Sequence, residues 1–152
     1  MKPFKFIEME TLPLYELKKI QTDFPCKKIH YSRTASDFIK QFYGDDIEIF
    51  ESVFILLVNN ANTTIGYAKI SQGGITGTVV DNRIVCKYAI ESLACGVIIA
   101  HNHPSGSLNP SNSDIEVTKK LKTALKTLDI NLLDHLILTS DDFYSLMDNG
   151  NM

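Results

Sequence analysis

Val97-Ile98-Ile99-Ala100-His101-Asn102-His103-Pro104-Ser105-Gly106-Ser107-Leu108-Asn109-Pro110-Ser111-Asn112-Ser113-Asp114 contains a strand, a turn and a helix start in one stretch. The apolar run Val97 to Ala100 has strand character, and His101 and His103 follow at i and i+2, so a strand end points both imidazoles to one side. Pro104 holds His103 extended and helps end the strand. Ser111 with Asp114 three residues later marks a helix start with an acidic residue in its first turn, where unpaired amides and the helix dipole favour negative charge. Two neutral imidazoles and a carboxylate suit Zn²⁺ and leave a fourth tetrahedral position open, the arrangement of catalytic zinc sites and not of closed structural ones.

Working outward, Asn112 to Leu128 reads as a helix with Val117, Leu121, Ala124, Leu125 and Leu128 inward and Lys119, Lys122 and Lys126 outward. Upstream, Asp81 or Asn82 opens a helix over Arg83 to Cys95, with Ile84, Tyr88, Leu93 and their neighbours toward the core and Gly96 ending it. Glu48 to Val58 and Thr63 to Ile70 form a hairpin across the turn Asn59-Asn60-Ala61-Asn62, and Gly73, Gly74 and Gly77 mark a loop needing positive φ. Leu132 to Leu138 is a further strand carrying the polar pair Asp134-His135, which needs partners if buried. Ser140 to Met147 closes the domain.

Nearer the start, Ile29-His30-Tyr31 reads as a strand, and Thr34 or Ser36 caps a helix through Asp37 to Tyr43, ended by Gly44. Residues 1 to 30 form a lead-in with one short helix around Leu14, Leu17, Lys18 and Ile20, interrupted by Pro3, Pro13 and Pro25; residues 31 to 152 form the domain. The pattern predicts an α/β (α+β) protein, a mixed sheet flanked by helices.

His-x-His, seven residues, Ser, two residues, Asp resembles the JAMM signature of JAB/MPN-domain zinc metalloproteases. The fuller string His101-Asn102-His103-Pro104-Ser105-Gly106 with Pro110-Ser111 and Asp114 is similar to the RadC-like branch, over roughly residues 30 to 147. The resemblance implies the MPN fold, similar in layout to cytidine deaminases, although a zinc deaminase needs a Pro-Cys-x-x-Cys pair that is absent here. It further implies one zinc per chain held by His101, His103 and Asp114, with Ser111 helping to stabilise an oxyanion. The family also uses a glutamate opening an upstream strand. Glu51, heading Ser52-Val53-Phe54-Ile55-Leu56-Leu57-Val58 and its Asn-rich turn, resembles it, with Glu48 as the alternative register. Asp134 and His135 resemble a Leu-Asp-His strand of the family and are assigned a supporting role behind the ligands.

The activity implied is a metallohydrolase cleaving peptide or isopeptide bonds, with a peptide or protein as substrate and a homodimer as the family-level assembly. The alternatives are a DNA-repair-associated accessory protein or a non-catalytic MPN scaffold. A net charge of −3 over 152 residues gives no general attraction to phosphate backbones. About 30 residues precede the domain, without the Gly-rich hairpins of the helix-hairpin-helix region that longer RadC-like proteins carry, so DNA binding would rest on the three lysines. With 44% hydrophobic and 22% charged residues, no long apolar run and no apolar secretory core, the sequence predicts a cytoplasmic protein. Cys26, Cys86 and Cys95, an odd number without a Cys-x-x-Cys pair, predict neither a disulfide framework nor a thiolate site.

Overall fold

In a computed structural model that describes residues 11–74 and 78–152, the element order is α1 (Ser32–Lys40), β1 (Ser52–Val58), β2 (Thr64–Gln72), α2 (Asn82–Glu91), β3 (Gly96–Asn102), α3 (Asn112–Thr127), β4 (Asn131–Leu138) and β5 (Phe143–Ser145). The sheet runs β2-β1-β3-β4-β5. Among the described residues, only β3 and β4 pair in parallel, joined by the α3 crossover that parallel strands require. The other pairs are antiparallel. This is the mixed α+β sheet expected, consistent with a JAB/MPN-like fold.

Strands β1 and β3 are buried along their whole length, as apolar runs covered on both faces must be. Alternation divides their side chains. Phe54, Leu56, Val58, Ile98, Ala100, Leu136 and Leu138 pack against Ala35, Phe38 and Ile39 of α1. Val53, Ile55, Leu57, Val97 and Ile99 face Val85 and Ala89 of α2 and Leu121 and Leu125 of α3. The sheet is therefore the middle of three layers, and anything carried at its rim between α2 and α3 lies on the second face.

Several local expectations are corrected. Residues 11–20 contain no helix, and Leu12, Leu14, Tyr15 and Ile20 are exposed there, because nothing packs on an apolar stripe. The reading of Pro3 and of Gly77 falls outside the described residues, and Gly74 does not adopt positive φ. The strand placed at Ile29–Tyr31 reduces to one bridge, Lys28 with Thr63. Helix α1 starts at Ser32, with Tyr31 as a cap that makes no side-chain bond. Ser36, read as a possible cap, is fully buried inside the helix, because the face carrying Ala35, Phe38 and Ile39 is what the sheet requires. Gly44 has φ +54 and opens a short 3-10 helix, Gly44–Glu48, so β1 begins only at Ser52.

Helix α2 ends earlier than predicted. Ala94 N donates to Ala89 O and Leu93 N to Ile90 O, a Schellman closure with Leu93 in the left-handed position at φ 55. Leu93 is consequently 84% exposed and Ile84 40%, while Val85 and Ala89 form the buried stripe. Helix α3 closes in the same way, with Asp129 at φ 58, so Leu128 falls beyond the helix and is exposed. Gly96 starts β3 instead of ending α2, and a Cβ there would lie 2.9 Å from both Val58 Cγ2 and Leu133 Cδ1.

Gly96→Ala should therefore destabilise the fold by about 1–3 kcal/mol through overpacking, seen as a lower urea midpoint with an unchanged slope; an unchanged midpoint would show that Leu133 and Val58 yield freely.

Candidate metal centre

The last residues of β3 carry polar side chains to opposite faces. His101 follows Val97 and Ile99 onto the α2/α3 face, and Asn102 follows Ile98 and Ala100 onto the α1 face. Both are buried and both are hydrogen-bonded.

Asn102 is the clamp of the site. Its Oδ1 accepts from Ser52 N at 2.8 Å, and its Nδ2 donates to Ile47 O at 2.7 Å and Phe50 O at 2.8 Å. These bonds bracket Glu51. Tyr43 Oη, 3.1 Å from both Ser52 O and Ala100 O, shares its proton between the same two strands. Burial, reinforced by the nearby Glu51 carboxylate, raises the Tyr43 phenol well above its ordinary value, so it remains a donor. Gly73 N donates to Glu51 O at 2.8 Å from the other side. Val53 pairs with His101, and by alternation Glu51 lies on the same face as both. Glu51 lines a cavity of about 170 Å³ together with His101, Asp114 and His135. Glu48 belongs to the 3-10 helix and is exposed, and it does not line that cavity.

Pro104 follows the strand end as expected. His103 N donates to Leu138 O at 2.9 Å, and a turn closes with Gly106 N donating to His103 O at 3.0 Å and Gly106 at φ +83. The ring of His103 lies with Nδ1 2.7 Å from Ser107 O. A carbonyl only accepts, so Nδ1 carries a proton and Nε2 is the nitrogen turned toward His101 and Asp114.

Asp114 arrives from the first turn of α3 through a capping box. Ser111 Oγ accepts from Asp114 N at 3.1 Å, and Asp114 Oδ2 accepts from Ser111 N at 2.7 Å. Asp114 Oδ1 lies 3.4 Å from His101 Nε2, and Oδ2 lies 3.9 Å from His103 Nε2. Burial pushes the carboxyl pKa upward, but hydrogen bonding and charge from His101, with the amide and hydroxyl of Ser111, outweigh it and hold Asp114 well below the usual carboxylate range. His101 Nε2 and His103 Nε2 are 3.0 Å apart. Ligand atoms of His101, His103 and Asp114 all lie within 4.8 Å of one another. Two imidazole nitrogens converging beside an anionic carboxylate form a donor set that fits a divalent metal such as zinc.

Of the residues singled out from sequence, the structure brings together His101, His103, Asp114 and Glu51. Ser111 caps α3 at its exposed start and is not on the cavity wall; Ser113 is. Asp134 points away with Leu136 and Leu138, its carboxylate accepting from Ser145 Oγ at 2.7 Å, His135 N at 2.7 Å and Met147 N at 3.1 Å. Burial still raises its pKa despite those bonds. It holds the C-terminal segment on the sheet. His135 stands behind His101, with its Nε2 2.8 Å from His101 Nδ1 and its Nδ1 2.5 Å from Thr118 Oγ1. Burial, followed by the neighbouring His101, pushes His135 down to about 3. Lys119, Lys122 and Lys126 are exposed on α3, and among the described residues no helix is long and apolar enough to cross a membrane.

Sequence reasoning missed Asn102 and Thr118. The available signals were an asparagine at the strand end between the two histidines and a threonine one helical turn beyond Asp114.

The sheet, the strand-end histidines and the helix-start aspartate are consistent with a JAB-type α+β fold carrying a group able to hold a metal ion. A family model for the RadC-like JAB domain matches residues 29–151, and the chain belongs to that family. A UPF0758 protein of Flavobacterium johnsoniae is 46% identical over 124 residues, covering 82% of this chain and 53% of the relative. UPF0758 proteins of Chlorobium chlorochromatii (33% identity; 93% of this chain, 64% of the relative) and Porphyromonas gingivalis (38%; 78% and 52%) are similar. The chain thus spans between half and two thirds of the length of these relatives.

Two consequences are measurable. Asn102→Ala strands the Ser52 amide and two carbonyls, each costing about 1–3 kcal/mol if it stays dry, so a marked drop in urea midpoint is expected; stability within about 0.5 kcal/mol of the parent would refute the clamp. For pH, His135 titrates at about 3 in the folded chain against an ordinary 6.5, so below 6.5 the unfolded chain binds a proton that the folded chain refuses. Its contribution is complete above pH 6.5 and is lost as pH falls toward 3, by up to about 1.4 kcal/mol per pH unit. Asp114, also depressed, adds loss of the same sign lower down. Denaturation of the chelator-treated chain across this window should show the slope, and His135→Gln should flatten it.

Proposed function

We propose that this chain is a zinc-dependent hydrolase of amide bonds acting on a peptide or protein. The observation that carries the reading is the cluster of His101, His103 and Asp114, two of which, His101 and Asp114, line a cavity that Glu51 also lines. A zinc ion bound by these three residues would polarise a scissile carbonyl and lower the pKa of a water to about 7.

The chain's own groups fill the remaining roles. Glu51, bracketed by the Asn102 bonds, takes a proton from the attacking water and returns it to the leaving amine. Ser111 Oγ accepts from Asp114 N and so fixes the helix start that presents the Asp114 carboxylate; it lies off the cavity wall, and the oxyanion role that the resemblance implies is not assigned to it. Asp114, anionic at neutral pH, contributes charge as well as a ligand atom.

Elemental mass spectrometry of the purified chain should find about one zinc, absent from His101→Ala, His103→Ala and Asp114→Ala. Glu51→Gln should retain zinc while peptide turnover falls by about 10²–10⁴. A parent that neither holds zinc nor takes it up would end the hydrolase reading; a Glu51→Gln variant as fast as the parent would end only the role of Glu51.

A further inference from the structure

We infer that Val79, at the rim of the metal-site cavity, selects the substrate side chain next to the amide that is cut, and that the side chain selected is aliphatic. The inference rests on the hydrolase reading just given and names the substrate class of that same site.

The cavity has two kinds of wall. Glu51, His101, Asp114 and His135 line it with carboxylates and imidazoles, and its apolar lining is four valines, Val53, Val79, Val80 and Val117. The valines arrive from three directions. Val53 belongs to β1, pairs with His101 and is 1% exposed. Val117 follows Asp114 by three residues in α3, so one helical turn carries the carboxylate and the methyl groups at neighbouring positions. Val79 and Val80 belong to the segment that leads into α2, and Val80 packs on the core shared by the sheet, α2 and α3.

That segment is fixed at both ends. Thr78 Oγ1 donates to Ser71 Oγ of β2 at 2.9 Å, and Asp81 caps α2 by accepting from Arg83 N at 2.9 Å. Val79 is held between these two points and is nevertheless 82% exposed. A single exposed valine is ordinary on a protein surface. This one adjoins three others on the wall of a cavity that also carries the metal-binding group, so a ligand's methyl groups seated there remove Val79 from water. Sites for small ligands combine an apolar lining with a few polar groups that fix orientation. Here the polar groups lie where an amide would react, and the valines lie where the neighbouring side chain would rest.

Methyl groups offer no hydrogen bond, so a polar side chain placed against them gives up its water without replacement. An aliphatic side chain of the same shape loses nothing. An apolar pocket of this kind discriminates against the hydroxyl isostere by up to about 10²-fold.

Binding and turnover are read separately. Valine-methyl ¹H–¹³C spectra of the whole chain, with zinc supplied, are titrated with the N-methylamides of N-acetylvaline and N-acetylthreonine, and of N-acetylleucine and N-acetylasparagine, pairs alike in shape and unlike in polarity. Expected are shifts of the Val53, Val79, Val80 and Val117 signals, with half-saturation about 10-fold lower for the aliphatic member of each pair. Val79→Ser should keep the parent's urea midpoint, because the position is exposed, and bind the aliphatic members about 10-fold more weakly. Equal half-saturation within the pairs overturns the inference, as does an aliphatic preference that Val79→Ser leaves intact. The turnover arm uses the aminomethylcoumarin amides of the same four acetylated residues. Binding in the expected order by a chain that takes up no zinc supports the valine wall and overturns the hydrolase reading. Zinc uptake with equal cleavage of the valine and threonine amides does the reverse.

Discussion

The pleat at the end of β3 governs this structure. The strand is buried on both faces, yet its last two residues are polar, and alternation sends His101 to one layer and Asn102 to the other. Neither can remain unpaired in the interior. Asn102 is satisfied by drawing the segment 47–52 against the strand, and that contact is what brings Glu51 to the cavity. His101 is satisfied by His135, which draws in Thr118 and the first turn of α3. The glutamate and the aspartate thus reach the two sides of one cavity because two adjacent strand residues require partners on opposite faces.

The charge balance of the centre follows from the same packing. His135 is held neutral by burial and by its neighbour His101, and a charged ring there would oppose any cation held in front of it. Asp114 is held anionic by the helix start and by His101. The site therefore offers one full negative charge beside two imidazoles, a donor set that suits a divalent cation.

What the sequence revealed was strongest where side-chain chemistry and local spacing coincide. The His-x-His strand end, the Pro104 stop and the Ser111–Asp114 capping box are contacts of near neighbours, and they occur as read. The errors lie where local signals were weak or pointed elsewhere. Helices α2 and α3 end on Leu93 and Asp129 in left-handed conformations, so no glycine announced the stop, and Gly96 was mistaken for one. Of the residues read as the buried face of α2, Tyr88 packs on the core, whereas Ile84 and Leu93 are exposed because Val85 and Ala89 form the stripe against the sheet and Leu93 lies beyond the helix end. Ser36 looks like a cap in isolation and is buried because Phe38 and Ile39 decide how α1 sits.

The sequence by itself determined the donor set, the strand that carries it and the family, since these depend on residue types at short separations. Only the tertiary structure decided which glutamate reaches the cavity, which nitrogen of His101 faces the site, and that Asn102 and Thr118 matter. Those outcomes depend on hydrogen bonds between residues far apart in the chain, such as Asn102 with Phe50 and His101 with His135. A buried polar group takes whichever partner the fold places within about 3 Å of it, and no local pattern in the chain specifies that partner.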